Sequence, residues 1–239
     1  MRAVLRWGLV LAIIVGLGWL LVRAADAGFF DAGGGGAAGG DAAQSGSAAF
    51  PEPTPEEVQA ARERLDAIPT GYGGAGGSYD RNRFGRGWAD LDRDGCLTRN
   101  EILQRDLTDT SLHANGCVVG SGTLVDPYSG ETIHFRHGAE SSQAVQIDHI
   151  VPLGYAWRQG AWRWSAPERL RFANDPRNLV AVDGRLNDDK GSDGPGRWMP
   201  PNAAVHCGYA VAFVTLLDDY GLDAFPADAW ELRRTLDRC

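Results

Sequence analysis

Large apolar side chains are distributed unevenly along this chain, and their pattern separates an N-terminal segment from a folded remainder. Residues 7–22 form an apolar run without charge, preceded by two arginines and followed by an A-x-A pattern at Ala25 and Ala27. These features are typical of a secretory signal, and the run is also nearly long enough to span a membrane. Residues 1–24 are therefore predicted to be a signal peptide or a membrane anchor, and the remainder is expected to be secreted or otherwise extracytoplasmic.

Residues 25–50 consist mostly of glycine, alanine and serine. Such a segment cannot bury enough apolar surface to offset the entropy cost of ordering it, so a flexible linker is predicted. A helix is expected over 51–69, because Thr54 and Glu57 have the spacing of a capping box around a proline and apolar residues follow at helical spacing. One domain is expected over 51–239, which is long enough for a core.

Beyond this helix, short β-prone apolar runs occur among helical patterns and polar turns. Strands are predicted at 118–125, 132–136, 144–153 and 179–182, and helices at 100–107, 187–191, 204–220 and 226–237. The segment between the last two strands is predicted to be a long loop. The mixture predicts the α+β fold class.

The charge balance restricts the class of partner. The chain carries 23 basic and 31 acidic residues, for a net charge of −8, and the excess of acid lies after residue 50. A protein that coats nucleic acid non-specifically would be basic, so the net charge argues against bulk electrostatic binding, but it does not exclude a nuclease with a local basic patch. Residues 154–200 hold seven arginines and Lys190 against six acids, so this segment is mildly basic. It can form the local patch that contacts a phosphate backbone, or it can be a solvated loop of mixed charge.

Four cysteines follow the predicted export segment, and none forms a C-x-x-C pair. An even count in an exported chain favours disulfide bonds over zinc ligands. Three pairings are possible, and proximity in the sequence favours Cys96–Cys117 and Cys207–Cys239.

Residues 90–101 match the calcium-loop pattern D-x-D-x-D-G-x5-E. Acids at every second position, a glycine turn and a final glutamate can surround a hard cation with oxygens. The loop positions concerned are Asp90, Asp92, Asp94, Cys96, Thr98 and Glu101. Two alternatives remain open: a structural turn held by Cys96, and an outer shell of acids near a catalytic site.

The order of polar residues in 144–191 suits phosphodiester hydrolysis, which needs a base to activate water and a cation to stabilise developing charge. His149 ends a predicted strand and can act as the base, or can be a satisfied structural histidine. Asp148 and Asn187 offer oxygen ligands that suit Mg²⁺ or Mn²⁺. Lys190 shares a helical face with Asn187 and can neutralise a phosphate oxygen, or can be an exposed cation at a helix end.

The segments QIDHIVPL (146–153), FANDPRNL (172–179) and NDDKG (187–191) together resemble the HNH nuclease family, also called the His-Me finger family. Its ββα-metal unit holds one divalent cation between a strand and a helix. The chain from about 79 to 239 also looks like secreted bacterial proteins with an HNH domain of the DUF1524 type, through YDRNRFGRGW, DGCLTRNEILQRDL and the cysteines.

This resemblance implies a ββα-metal unit at about 140–200 within a mostly helical, disulfide-stapled scaffold. It implies that His149 is the general base, that Asp148 and Asn187 bind the metal, and that Asn178 fixes the loop and positions the base. The last motif residue is asparagine rather than histidine, a variant that the family contains. The implied activity is a metal-dependent endonuclease acting on DNA, with RNA left open as a substrate.

The segment 155–172 combines aromatic and basic side chains, which can stack on bases and clamp phosphates or can cover the core beside the site. The second interpretation is favoured. The side chains are Trp157, Trp162, Trp164, Arg158, Arg163, Arg169 and Arg171.

An alternative function from another class also fits the sequence. The chain would then be a cell-surface binding module, stabilised by calcium and disulfides, whose nuclease unit is inactive. In either case, contact with a membrane is expected only through an uncleaved N-terminal segment, and no protein partner is implied.

Overall fold

The computed structural model describes residues 49–74, 76–138 and 143–239 of the chain. The predicted signal peptide or anchor at 1–24 and residues 25–48 of the predicted linker lie outside these ranges. Among the described residues, no helix combines the length and apolar character needed to cross a membrane. Helices and two small antiparallel sheets make up these ranges, so the predicted α+β class is confirmed.

Seven α-helices and five β-strands lie within the described ranges. The helices are α1 (Pro55–Ala67), α2 (Thr98–Asp106), α3 (Leu153–Arg158), α4 (Ala166–Ala173), α5 (Gly184–Lys190), α6 (His206–Asp219) and α7 (Pro226–Leu236). The strands are β1 (Thr108–Leu112), β2 (Val119–Val125), β3 (Thr132–Arg136), β4 (Val145–His149) and β5 (Leu179–Asp183). Strands β1, β2 and β3 form one antiparallel sheet in that order, and β4 pairs with β5 in a second antiparallel sheet.

The predicted elements with strong local patterns are present, but the segment between β4 and β5 differs from its prediction. Thr54 and Glu57 form the capping box of α1. The predicted loop at 155–172 instead contains most of α3 and α4. Helix α4 begins with a capping box of its own, formed by Ser165 and Glu168, because the sequence S-A-P-E satisfies the first backbone N–H groups as T-P-E-E does in α1.

Strand β5 is buried on both faces, which places the second sheet between two hydrophobic clusters. Leu179 and Ala181 pack into a smaller cluster with helix α2, whereas Val180 and Val182 pack into a larger cluster that includes α1, α6 and α7. Successive side chains of a strand point to opposite faces, so an uninterrupted apolar run serves both clusters. Strand β4 pairs along this buried strand with His149 opposite Leu179.

Two disulfide bonds join different elements of the fold. Cys96–Cys117 connects the loop before α2 to the turn between β1 and β2, and Cys207–Cys239 connects the start of α6 to the C-terminus. These are the pairs that sequence proximity favours, and the prediction is confirmed.

The folded part begins slightly earlier than predicted. Phe50, the last residue of the predicted linker, is 2% exposed, and its ring packs against Tyr128 and Tyr209. A phenyl ring gains free energy by leaving water and by packing edge to face against other rings. The predicted linker therefore ends before Phe50.

Replacing both Cys207 and Cys239 by serine is expected to lower the free energy of unfolding by about 3 kcal/mol, because the disulfide closes a loop in the unfolded chain. Urea denaturation of the oxidised wild type and the double variant measures the difference. Reduction of the wild type breaks both disulfides and should therefore cost at least as much as the double substitution. Equal stability of the wild type and the double variant would contradict a stabilising role for this bond.

Candidate functional site

A cavity of about 620 Å³ runs beside β4 and contains the histidine on which the sequence analysis centred. Three parts of the chain form its wall: the segment before α2 with the start of that helix, strand β4 with the turn after it, and helix α5 with the residues that follow. The lining residues include Tyr79, Arg81, Trp88, Arg99, Gln146, Asp148, His149, Asn187 and Asp188. The structure therefore brings His149, Asp148 and Asn187 together.

The ring of His149 is fixed from two directions. Its Nε2 lies 2.9 Å from the carbonyl oxygen of Ala173, and the indole of Trp88 stacks on the ring at 5.8 Å between centroids and 9° between planes. A carbonyl oxygen can only accept a hydrogen bond, so Nε2 carries the proton in the neutral ring and Nδ1 keeps its lone pair. Burial lowers the pKa of His149 to about 4, although the hydrogen bond to Ala173 opposes the shift. The imidazole is therefore neutral at pH 7.

Asp148 lies in a buried network with the only lysine of the chain. Its Oδ2 accepts hydrogen bonds from the hydroxyl of Tyr128 at 2.5 Å and from Nζ of Lys190 at 2.6 Å. Nζ also donates to the backbone oxygen of His149 at 2.7 Å. Burial raises the pKa of Tyr128 well above its ordinary value, so that its hydroxyl remains a donor.

These contacts correct both sequence-based interpretations of Lys190. Its side chain is 0% exposed, so it is not a solvated cation at a helix end. The ammonium donates to Asp148 and to the backbone of His149, and so is not directed at a phosphate. Burial lowers the pKa of Lys190, while the Asp148 carboxylate opposes the shift. Lys190 therefore acts on the site through Asp148 and the end of β4.

Asn178 ties the turn after His149 to the start of β5. Its side chain is fully buried, with Oδ1 accepting from the backbone N–H of Val151 at 2.8 Å and Nδ2 donating to the carbonyl of Val151 at 3.3 Å. Its backbone oxygen accepts from the N–H of Ile150 at 2.8 Å. These bonds fix the chain immediately after the histidine.

Oxygen donors from β4 and α5 lie on the same wall of the cavity. Asn187 donates through Nδ2 to Oε1 of Gln146 at 2.7 Å, which leaves its Oδ1 as the atom able to bind a cation. Oδ1 of Asp148 is the second such oxygen, and exposed Asp188 lines the same cavity. Carboxylate and amide oxygens fit a hard cation such as Mg²⁺ or Mn²⁺, which retains water and substrate ligands. The donor set of this chain therefore suits the predicted metal.

The acidic loop before α2 is separate from this wall. Carboxylate oxygens of Asp90, Asp92 and Asp94 lie within 4.8 Å of one another. Several of them accept backbone N–H groups of the loop itself, including those of Arg93, Gly95 and Cys96.

Two further positions of the predicted calcium loop, Glu101 and Thr98, have different environments. Burial and the charges of Asp92 and Asp94 raise the pKa of Glu101. Thr98 is buried and its hydroxyl donates to the carbonyl of Ala89 at 2.7 Å, which closes the base of the loop. The calcium interpretation stays a prediction.

The segment rich in tryptophan and arginine covers the core. Trp157 is 3% exposed, and Trp162 and Trp164 pack against the larger cluster. Arg169 donates to the backbone oxygen of Arg83 at 2.9 Å and lies over the ring of Trp157. The core-covering interpretation is therefore confirmed for the tryptophans.

Sequence reasoning missed four residues of the site, because each is distant in the chain from the motif. Trp88, Arg81 and Arg99 come from the segment that includes YDRNRFGRGW and the start of α2, and Tyr128 comes from the turn between β2 and β3. The motif YDRNRFGRGW was the available signal for the first two, but only contacts show what it packs against.

Comparison with known proteins relates the chain to a nuclease family. The family model for the C-terminal domain of GmrSD restriction endonucleases matches residues 97–235, which include β4, β5 and α5. The chain is also 32% identical over 194 residues to an "Uncharacterized secreted protein" of Arthroderma benhamiae, covering 79% of this chain and 91% of the relative. No solved structure matches.

Replacing Lys190 by methionine is expected to lower the free energy of unfolding by about 3–5 kcal/mol, because Asp148 is left as a buried charge without its partner. Urea denaturation at pH 7 in EDTA measures the loss. The matched control on the same helix is Arg185→Met, whose side chain is 86% exposed beside Asp183 and should cost less than about 1 kcal/mol. Similar losses for the two variants would count against a buried pair.

The low pKa of His149 should make the protein sensitive to mild acid. An unfolded histidine binds a proton near pH 6.5 and the native one near pH 4, so the unfolded state binds more protons between these values and stability falls as the pH falls. Between pH 7 and 4.5 the wild type should lose about 2 kcal/mol more than His149→Gln. Urea denaturation of both metal-free proteins at the two pH values tests this, and parallel losses would rule it out.

Proposed function

The chain belongs to the family of C-terminal domains of GmrSD restriction endonucleases, and from this membership we propose that it is an exported, metal-dependent endonuclease of the HNH type. Its substrates are phosphodiester bonds of nucleic acid, DNA first and RNA second. The main support for the proposal is that the neutral, oriented imidazole of His149 lines the same cavity as the oxygen donors of Asp148 and Asn187.

His149 is the general base. With Nε2 donating to Ala173, the lone pair of Nδ1 can take a proton from a water molecule that attacks phosphorus. The water oxygen forms the new bond to phosphorus as the bond to the leaving oxygen breaks. A buried base with a pKa of about 4 is unprotonated at neutral pH, although burial also makes it a weaker base, so the approach of the anionic phosphate has to strengthen it.

Asp148 and Asn187 are the residues that would hold a divalent cation, Mg²⁺ or Mn²⁺. Such a cation supplies stabilisation of the negative charge on the phosphate and leaving oxygens. Lys190 and Tyr128 occupy Oδ2 of Asp148, which fixes the carboxylate with Oδ1 free. Asn178 and Lys190 are positioning residues, because Lys190 holds the backbone oxygen of His149 and Asn178 holds the backbone of Val151 just after it.

Export is supported by three separate observations. The chain contains two disulfides, which persist in oxidising compartments. Its relative from Arthroderma benhamiae is named a secreted protein. The sequence of residues 1–24 has the pattern of an export segment.

The nuclease proposal predicts cleavage of plasmid DNA in Mg²⁺ or Mn²⁺ that stops in EDTA and falls at least about a hundredfold in His149→Ala, because the base is removed. Gel analysis of nicked and linear plasmid measures the rate. The matched control is His113→Ala, which changes an exposed histidine of the β1–β2 hairpin and should cleave like the wild type.

Two outcomes of this assay would contradict parts of the proposal. Undiminished cleavage by His149→Ala would reject the assigned base, and an unaltered metal titration of Asn187→Ala would reject that ligand. Absence of cleavage by folded wild-type protein in any divalent metal would instead favour a binding module with an inactive nuclease unit.

A further inference from the structure

Two arginines on the cavity wall lack the carboxylate partner that eight other arginines of the described chain have. Salt bridges to carboxylates involve eight others: Arg62, Arg64, Arg105, Arg177, Arg185, Arg197, Arg233 and Arg234. Arg81 and Arg99 line the cavity with His149, and neither forms a salt bridge within the part of the chain that the structure describes. These two guanidinium groups therefore lie beside the proposed catalytic base without a carboxylate partner among the described residues, and Arg81 interacts instead with the hydroxyl of Tyr79.

Arg99 carries the stronger signal because it is half-buried. Its position at the start of α2 removes much of the side chain from water, and this burial lowers its pKa. Burying a charge costs free energy unless an opposite charge compensates it. A half-buried arginine without a carboxylate partner is therefore expected where a bound ligand supplies the opposite charge.

The chemistry of the ligand follows from the two groups and from the cavity around them. Guanidinium groups bind phosphate oxygens through paired N–H donors. Tyr79, which is 38% exposed, adds an aromatic side chain to the same wall, and aromatic rings stack on unpaired bases. His149 is only 5% exposed, so a phosphate has to enter the concavity to reach it, which a flexible single strand does more readily than a duplex.

We propose that Arg81 and Arg99 bind backbone phosphates next to the scissile one on an unpaired nucleic-acid strand. The segment 79–99 is then a substrate-binding element that extends the site beyond the strands and helix of the catalytic motif. Arg81 also lies before the region that the family model matches, which begins at 97. This inference rests on the proposed nuclease function, because it takes His149 as the point of cleavage.

The test is binding of a fluorescently labelled 12-nucleotide single strand, measured by anisotropy in EDTA so that no cleavage is needed. Arg81→Gln and Arg99→Gln should each weaken binding about five- to twentyfold at low salt and reduce the slope of log affinity against log salt by about 0.7. The matched control is Arg86→Gln, an exposed arginine of the same segment outside the cavity lining, which should leave both quantities unchanged.

Thermal unfolding separates binding from a structural role. Arg99→Gln should keep or raise Tm while it weakens binding, because it removes a half-buried charge that has no partner in the free protein. A scaffold role would instead lower Tm together with affinity. Arg81 is exposed, so its variant tests the same proposal if the Arg99 variant does not fold.

Two results would overturn the inference: unchanged affinity and salt slope in both glutamine variants, or binding of a 12-base-pair duplex as tight as that of the single strand. A failure of the nuclease proposal alone would give another result: the single strand would still bind in an arginine-dependent manner, but the wild type would cleave no nucleic acid in any metal.

Discussion

The ion pair between Lys190 and Asp148 is the interaction on which the geometry of the site depends. It joins the end of α5 to the end of β4 across more than forty residues of sequence, with Nζ bound at once to the Asp148 carboxylate and to the backbone oxygen of His149. Two buried charges are costly unless their geometry and hydrogen bonds are nearly complete. Tyr128 supplies a further donor to the same carboxylate oxygen, so the network holds the residue before the histidine in one position.

The sheet that carries this network is unusually well supported for a pair of short strands. Strand β5 contributes alternate side chains to two hydrophobic clusters, and β4 pairs along it for five residues. A two-stranded sheet alone would be at best marginally stable in water. Packing on both faces makes this sheet a rigid base for His149 and for the oxygen donors of Asp148 and Asn187, as the proposed hydrolysis requires.

The remaining wall of the cavity is built by a segment that precedes β4 in the chain. Ala89 is fixed by a bond from its N–H to Oδ1 of Asn174 and by bonds to its oxygen from Thr98. This places Trp88 on the face of the His149 ring. The same stretch of chain that restrains the His149 ring thus also carries Arg81 and Arg99, the two cavity arginines without a carboxylate partner in the part of the chain that the structure describes.

The sequence by itself determined the elements whose signals are local. The capping box at Thr54, the apolar run of β5 and the proximity of the cysteine pairs each depend on residues close in the chain, and each prediction is confirmed. It also indicated His149, Asp148, Asn178 and Asn187 as candidate residues of one site. The sequence could not decide the environment of Lys190, because an isolated cation near a helix end is as consistent with solvent as with a buried carboxylate. Only the tertiary structure decides between them, since Lys190 pairs with Asp148 and lies over the ring of Trp198, while Tyr128 donates to the same carboxylate. These three residues come from three different segments of the chain.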